Sequence, residues 1–171
     1  DLGPGNCLIH FWIKKKTKKN YDINGDIARK GKISKIQLDQ SLDIFFNNNL
    51  FQKKSYDIND FDISSFRGLS LEDGAATITE YTIEILANKI SSRNIICCGG
   101  GRKNDYFVKR LEKKINKKVL KIDKFKMNGD FIESQAFAFL AIRSLLNLPI
   151  SFPMTTGCSK DSIGGIITSN F

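Results

Sequence analysis

The sequence predicts an α/β fold, and three observations carry that prediction. Residues 94 to 123 run strand, glycine loop, helix, strand; an amphipathic helix opens at Ser70; and an almost wholly apolar helix runs to Leu148. Asn94-Ile-Ile-Cys-Cys98 is a short apolar strand, Gly99 to Gly101 a loop, and Phe107, Val108, Leu111 and Ile115 share one face of the following helix. Val119 to Ile122 supplies the second strand. The unit is therefore βαβ, with parallel strands and a right-handed crossover.

The other elements follow in chain order. Asp1-Leu-Gly-Pro-Gly-Asn-Cys-Leu-Ile-His10 sets a carboxylate on a tight loop that runs into an apolar helical segment, Cys7 to Ile13. Gly3 and Gly5 open backbone angles closed to other residues, and Pro4 stiffens the turn between them. A ligand can then approach the main chain beside Asp1, although an ordinary turn with a solvated acid explains the same residues. A lysine-rich, Asn/Gly-rich surface turn extends through Gly31. Leu38, Leu42, Phe45 and Phe46 recur at helical spacing between Ile33 and Asn47, so one face of that helix is buried. Residues 50 to 69 form an irregular polar connection of the kind that often holds function. Ser70 and Asp73 have capping-box spacing, with Leu71, Ala75, Ile78, Thr82, Ile85 and Leu86 on the buried face and Thr77, Glu80 and Glu84 opposite. Asp130 and Glu133 repeat that spacing before the apolar run, which predicts a helix buried on most sides. Pro149 and Pro153 stop it, and Ile163 to Ile167 is a last short strand.

A chain of 171 residues suffices for one domain that buries about two-thirds of its unfolded surface. It has no initiating Met and its candidate acid is residue 1, which points to the C-terminal part of a longer protein. Lys and Arg number 27 against 18 Asp and Glu, a formal +9. The lysines lie in short scattered runs without interleaved aromatics, so they are solvated faces and no nucleic-acid partner is expected. Four cysteines without a C-x-x-C pair, and one histidine, exclude the usual zinc arrangements, and no metal site is assigned. Cys97 and Cys98 end a buried strand as free thiols, which fits a reducing, cytoplasmic compartment. No apolar run is long enough to span a membrane, and the N-terminus lacks a signal-peptide layout.

Gly99, Gly100 and Gly101 precede a helix N-terminus, where bare N–H groups and the helix dipole favour a nucleotide's phosphates or polar edge. They fit neither the P-loop nor the G-x-G-x-x-G pattern, and a tight turn explains them equally. Asn104 is either a helix cap or a nucleotide contact. Glu133 either reaches a sugar hydroxyl or completes the capping box with Asp130. His10 packs or lies on the surface, and no role is assigned to it.

Five blocks in order and spacing resemble one family. They are Asp1-x-Gly-Pro-Gly-Asn6, Lys54-Ser55 with Asp60-Phe61, Gly68 to Thr79, Cys98-Gly-Gly-Gly-x-x-Asn104, and Glu133-x-x-Ala-Phe-Ala-Phe-Leu-Ala141. Pro153-x-x-Thr-Gly157 and Gly164-Gly165 extend the likeness over essentially the whole chain. The family is anhydro-N-acetylmuramic acid kinase. The resemblance implies an actin-like sugar-kinase protein of two RNase H-like lobes, each a mixed sheet flanked by helices. Residues 1–171 would be the C-terminal lobe, with the N-terminal lobe absent.

The implied activity uses ATP and Mg2+ to phosphorylate O6 of 1,6-anhydro-N-acetylmuramic acid while water opens the anhydro bridge, giving N-acetylmuramic acid 6-phosphate for cell-wall recycling. The alternative is a non-catalytic nucleotide-binding module of the same fold. By the same resemblance Asp1 matches the general base and Glu133 a sugar contact, Gly3 and Asn6 belong to the substrate loop, and Gly99 to Gly101 with Asn104 match the nucleotide loop. The small-molecule sugar is the partner, a homodimer is implied, and activity requires the other lobe. Two features depart from the family. Its Gly-Thr-Ser-x-Asp-Gly phosphate loop is missing, and Ser55-Tyr-Asp-Ile-Asn59 stands where the family often has Ser-Thr-Gly-Arg-Glu. His10 also stands where the family commonly has an acid.

Overall fold

The computed structural model of the chain describes residues 2 to 47 and 56 to 168; Asp1 and the Lys54-Ser55 pair lie outside them. Its architecture is α/β, helices around a small parallel sheet. One central helix, Leu71–Lys89, organises the core. Ser70 caps it, its Oγ accepting the Asp73 N–H at 3.0 Å. Three helices precede it in the chain: α1 (Cys7–Lys16), α2 (Asp26–Lys30) and α3 (Lys35–Asn47). All three pack against it, so it is α4. Trp12 of α1 lies across Gly74 and donates its indole N–H to the Leu71 carbonyl at 2.9 Å. Gly31 sits against the Glu72 backbone, where a Cβ would come within 2.0 Å of the carbonyl oxygen. On α3, Phe45 stacks on Phe61 at 5.7 Å and meets the edge of Tyr81, closing an aromatic cluster under the 56 to 69 connection.

Strands β1 (Ile95–Cys97) and β2 (Val119–Lys121) pair in parallel, with Ile95 opposite Val119 and Cys97 opposite Lys121. Helix α5 (Asp105–Ile115) joins them and buries Phe107, Val108 and Leu111, as the βαβ pattern predicts. Glu80 and Glu84 of α4 pair with Arg110 and Lys114 of α5. Beyond β2 lie α6 (Ile132–Leu145) and the short α7 (Pro153–Thr156). No helix among the described residues is long and apolar enough to cross a membrane.

Several sequence expectations are corrected. The segment before Gly31 is an exposed surface turn only as far as Tyr21: Asp22 is buried, and its two carboxylate oxygens accept the Ile27 and Ala28 N–H groups at 2.8 and 2.9 Å, holding α2 on α4. Thr77 is buried too, because its hydroxyl donates to the Asp73 carbonyl and accepts the Ser34 N–H. Self-satisfied threonines let α4 bury a face that hydropathy marks as polar. Conversely, α6 has no buried residue. Asp130 does not form a box with Glu133: the residue before α6 is Phe131, which makes no side-chain cap bond, and Asp130 pairs with Arg102 and Lys103 instead. The β1 strand is not buried either, since Ile95 and Cys97 only partly pack against the core while Ile96 between them is 49% exposed. Residues 163 to 167 form no strand; Ser151 and Ser162 make an isolated antiparallel bridge instead.

Candidate functional site

The site grows from two loops that meet. In the first, Gly5 takes a left-handed φ of +53° with open space around its Cα, while Pro4 is buried and accepts the Cys7 N–H at 3.2 Å. Gly3 packs against Ile85 of α4, where a Cβ would lie 3.1 Å from the side chain. The loop is thus anchored on the central helix and delivers Asn6 to the start of α1. In the second loop, Gly99 holds φ at +67°, a region costly for a side-chain-bearing residue, and its N–H donates to the Gly129 carbonyl at 2.9 Å. A turn over Gly100–Lys103 carries the chain into α5. The loops meet where a Cβ on Gly101 would lie 4.0 Å from Asn6 Cγ.

Between them opens a cavity of about 440 Å³, lined by Asn6, His10, Tyr21 to Asn24, Gly100, Lys103 and Asn104. Asn104 is the N-cap of α5, its Oδ1 accepting the Phe107 N–H at 3.0 Å, so the cap reading holds and places the same residue on the cavity wall. Gly25 makes this possible. Its φ is +71°, and a Cβ there would meet Asn104 Oδ1 and Tyr106 Cβ, each at 2.5 Å. Asn6 Oδ1 is buried without a hydrogen-bond partner. Such an acceptor costs free energy until a donor reaches it, and a ligand's amino or hydroxyl group in this cavity would serve.

Sequence reasoning missed six of the nine lining residues. His10 lies one helical turn beyond Asn6 and faces Tyr21, the ring centroids 6.0 Å apart. Burial, and then the neighbouring Lys14, hold its pKa below the ordinary imidazole value. The i, i+4 spacing of Asn6 and His10 was the available signal. Tyr21, Ile23 and Asn24 gave none, because only the Asp22 cap folds their segment back over the cavity. Glu133 is exposed on α6 and is not part of this lining.

A buried cation braces the glycine loop. Arg102, 5% exposed, donates to Asp123 at 2.7 Å, to Asp130 at 2.7 Å and to the Gly99 carbonyl at 2.8 Å. Gly129 leaves room for it, since a Cβ there would come within 2.3 Å of Arg102 Nε. Hydrogen bonds from Arg102 and then Lys103 hold the Asp130 carboxyl down at about 2, and Arg102 lowers Asp123 as well. Both acids are depressed below the unfolded value near 3.9, so their contribution is complete above roughly pH 4 and is lost as pH falls toward about 2. Arg102→Ala is expected to cost about 1.5–3 kcal/mol at pH 7, toward the lower end because the acids are half-exposed. It should also flatten the loss of stability between about pH 4 and 2, as read by urea midpoints; an unchanged pH profile would remove Arg102 from this role.

Comparison with known proteins places the chain among named relatives. Residues 1–170 match the family model described as anhydro-N-acetylmuramic acid kinase. Relatives bearing that name include one from Pelagibacter ubique, 46% identical over 182 residues and covering 100% of this chain and 48% of the relative. One from Zymomonas mobilis is 41% identical over 98% of the chain and 47% of the relative. Another, from Rhodospirillum rubrum, is 34% identical over 96% and 45%. The chain spans about half the length of the curated relatives it matches. On the match over residues 1–170, the chain belongs to the anhydro-N-acetylmuramic acid kinase family.

Proposed function

We propose that the chain is the C-terminal lobe of an ATP-dependent sugar kinase. It acts on 1,6-anhydro-N-acetylmuramic acid, placing phosphate on O6 while water opens the anhydro bridge to give N-acetylmuramic acid 6-phosphate. The observation that carries the reading is the family match over residues 1–170. The meeting of the Asn6 loop with the glycine loop supports the assignment of residues. In this reading the two strands belong to a larger, RNase H-like mixed sheet, the protein is a cytoplasmic homodimer, and turnover requires the second lobe.

The residues present fit a nucleotide. The orphaned Asn6 Oδ1 calls for a donor, and the cavity beside Gly100 and Asn104 has room for a base or a ribose. ATP supplies the γ-phosphoryl group when bound, with Mg2+ neutralising its charge. No three His, Cys, Asp or Glu side chains converge as a metal site among the described residues, so those residues offer Mg2+ no cage. That ion commonly rides on phosphates and water with one or two carboxylates. Gly100 and Gly101 let a ligand approach the main chain, Arg102 keeps their loop in place, and Asn104 stays fixed by its cap bond. Glu133 contacts the sugar, and Asp1 takes the proton of the water that attacks the anomeric carbon, as the base does in an inverting glycosidase.

The test joins the chain to the part of the Pelagibacter ubique relative outside the match and supplies ATP, Mg2+ and the anhydro sugar in 18O-labelled water. At early times one label should stand on the anomeric carbon and the phosphate on O6. ATP bound without sugar opening, or label found only in inorganic phosphate, sinks the reading.

A further inference from the structure

The C-terminal third of the chain is folded but uncovered. Helix α6 is bonded to its own continuation: Arg143 Nε donates to the Pro149 carbonyl at 2.7 Å, Ser144 to the Gly164 carbonyl, and the Ile150 N–H to the Ser162 carbonyl at 2.9 Å. The start of this unit is tied to the glycine loop through the Gly99 to Gly129 bond and the Arg102 to Asp130 pair. It is therefore an ordered body beside the candidate site. Yet Phe137 is 66% exposed and Leu145 61%, and Phe139, Ile142 and Leu146 are open as well.

At 100° per residue these five side chains spread over about 200° of the helix circumference. A surface helix needs an apolar stripe of only about 100° to sit on a neighbour. The width excludes simple side-by-side pairing with one helix, such as α6 of a second copy, and calls for a body that encloses α6 from several directions. Self-pairing would also bring together two chains of formal +9. About half of each relative lies outside the match, which is enough chain to form such a body. We infer that α6, from Phe137 to Leu146, is the docking element for the part of the family polypeptide outside the matched half, seated in an apolar groove of that part. Enclosure there would set that part against the glycine loop, through the same unit that Arg102 ties to it.

Hydrogen exchange tests this without ATP or sugar, so its failure is distinct from failure of the kinase reading. In the chain alone the α6 amides should exchange freely, and in the fusion with the remaining part of the Pelagibacter ubique relative they should slow by about tenfold or more. Phe137→Asp with Leu145→Asp in the fusion should restore fast exchange in α6 and leave α4 protected, since neither side chain touches the core. Equal exchange of α6 in chain and fusion overturns the inference. So does protection of α6 in the chain alone, whether as a monomer or as a dimer. If α4 also loses protection in the fusion, photocrosslinking within the otherwise unchanged fusion, from benzoylphenylalanine at position 137 to the part outside the matched half, decides instead. A crosslink in that part's apolar groove supports the docking, and its absence overturns it.

Discussion

Gly74→Ala is expected to unfold much of the chain's margin of stability even though alanine is the better helix former. The substitution gains up to about 1 kcal/mol of helix propensity near the first turn of α4. Against that, the new Cβ would stand 2.1 Å from Trp12 Cζ2 and 2.3 Å from Cε2, far inside contact distance. Trp12 cannot rotate away cheaply. It is 1% exposed, packed between α1 and α4, and held by its bond to the Leu71 carbonyl. Either the ring leaves the core, at the cost of an aromatic truncation of about 3–5 kcal/mol, or α1 moves off α4 at the overpacking cost of about 1–3 kcal/mol. Less the propensity gain, the net loss should be about 2–4 kcal/mol by ring expulsion and about 0–2 kcal/mol by helix displacement, the former a drop of about 10 °C in Tm for a chain of this size. Trp12 is the only tryptophan, so a red shift of its emission distinguishes ring expulsion from helix displacement. A Tm at or above the parent's would show that α1 does not pack on α4 in this way. Because α1 carries both Asn6 and His10 into the cavity, the same change should weaken ligand binding there.

The parts legible in the sequence were those with local causes. The βαβ unit followed from apolar runs separated by glycines, and the start of α4 followed from Ser70, whose hydroxyl does cap the helix. Asn104 was legible as a cap, and the capped residue stands on the cavity wall. What hydropathy could not show was which helix lies at the centre. Thr77 and Thr79 of α4 hide their polarity by bonding the preceding turn, whereas α6 looks central by composition and has no buried residue. The cavity wall from Tyr21 to Asn24 was illegible for another reason. Its placement depends on Asp22 reaching forward five and six residues to cap α2 and on Gly25 fitting under Asn104, neither of which has a sequence signature. Asp130 and Glu133 show the opposite failure, a valid spacing whose first member is drawn off by a distant arginine.

Asp1→Asn in the fusion is expected to lower kcat by about 10²–10⁴ while leaving ATP affinity within a factor of two. Asparagine keeps the size and one acceptor oxygen of the carboxylate but cannot take a proton. Opening of the anhydro bridge needs that proton to go somewhere: the water oxygen bonds to the anomeric carbon, the C1–O6 bond breaks, and O6 takes the γ-phosphoryl group. Bond breaking to O6 and phosphoryl capture can still be assisted by charge neutralisation, so residual turnover persists, but attack by an unactivated water is slow. Nucleotide binding should survive because Asn6, Gly100 and Asn104 are held by other contacts: the packing of Gly3 on Ile85, the Arg102 brace and the α5 cap. Steady-state rates with the anhydro sugar, beside a direct ATP titration, separate the two effects. Turnover within tenfold of the parent would take the base role from Asp1. Glu133 would not inherit it on present geometry, since it stands on the exposed helix and not in the wall that Asn6 and the glycine loop share.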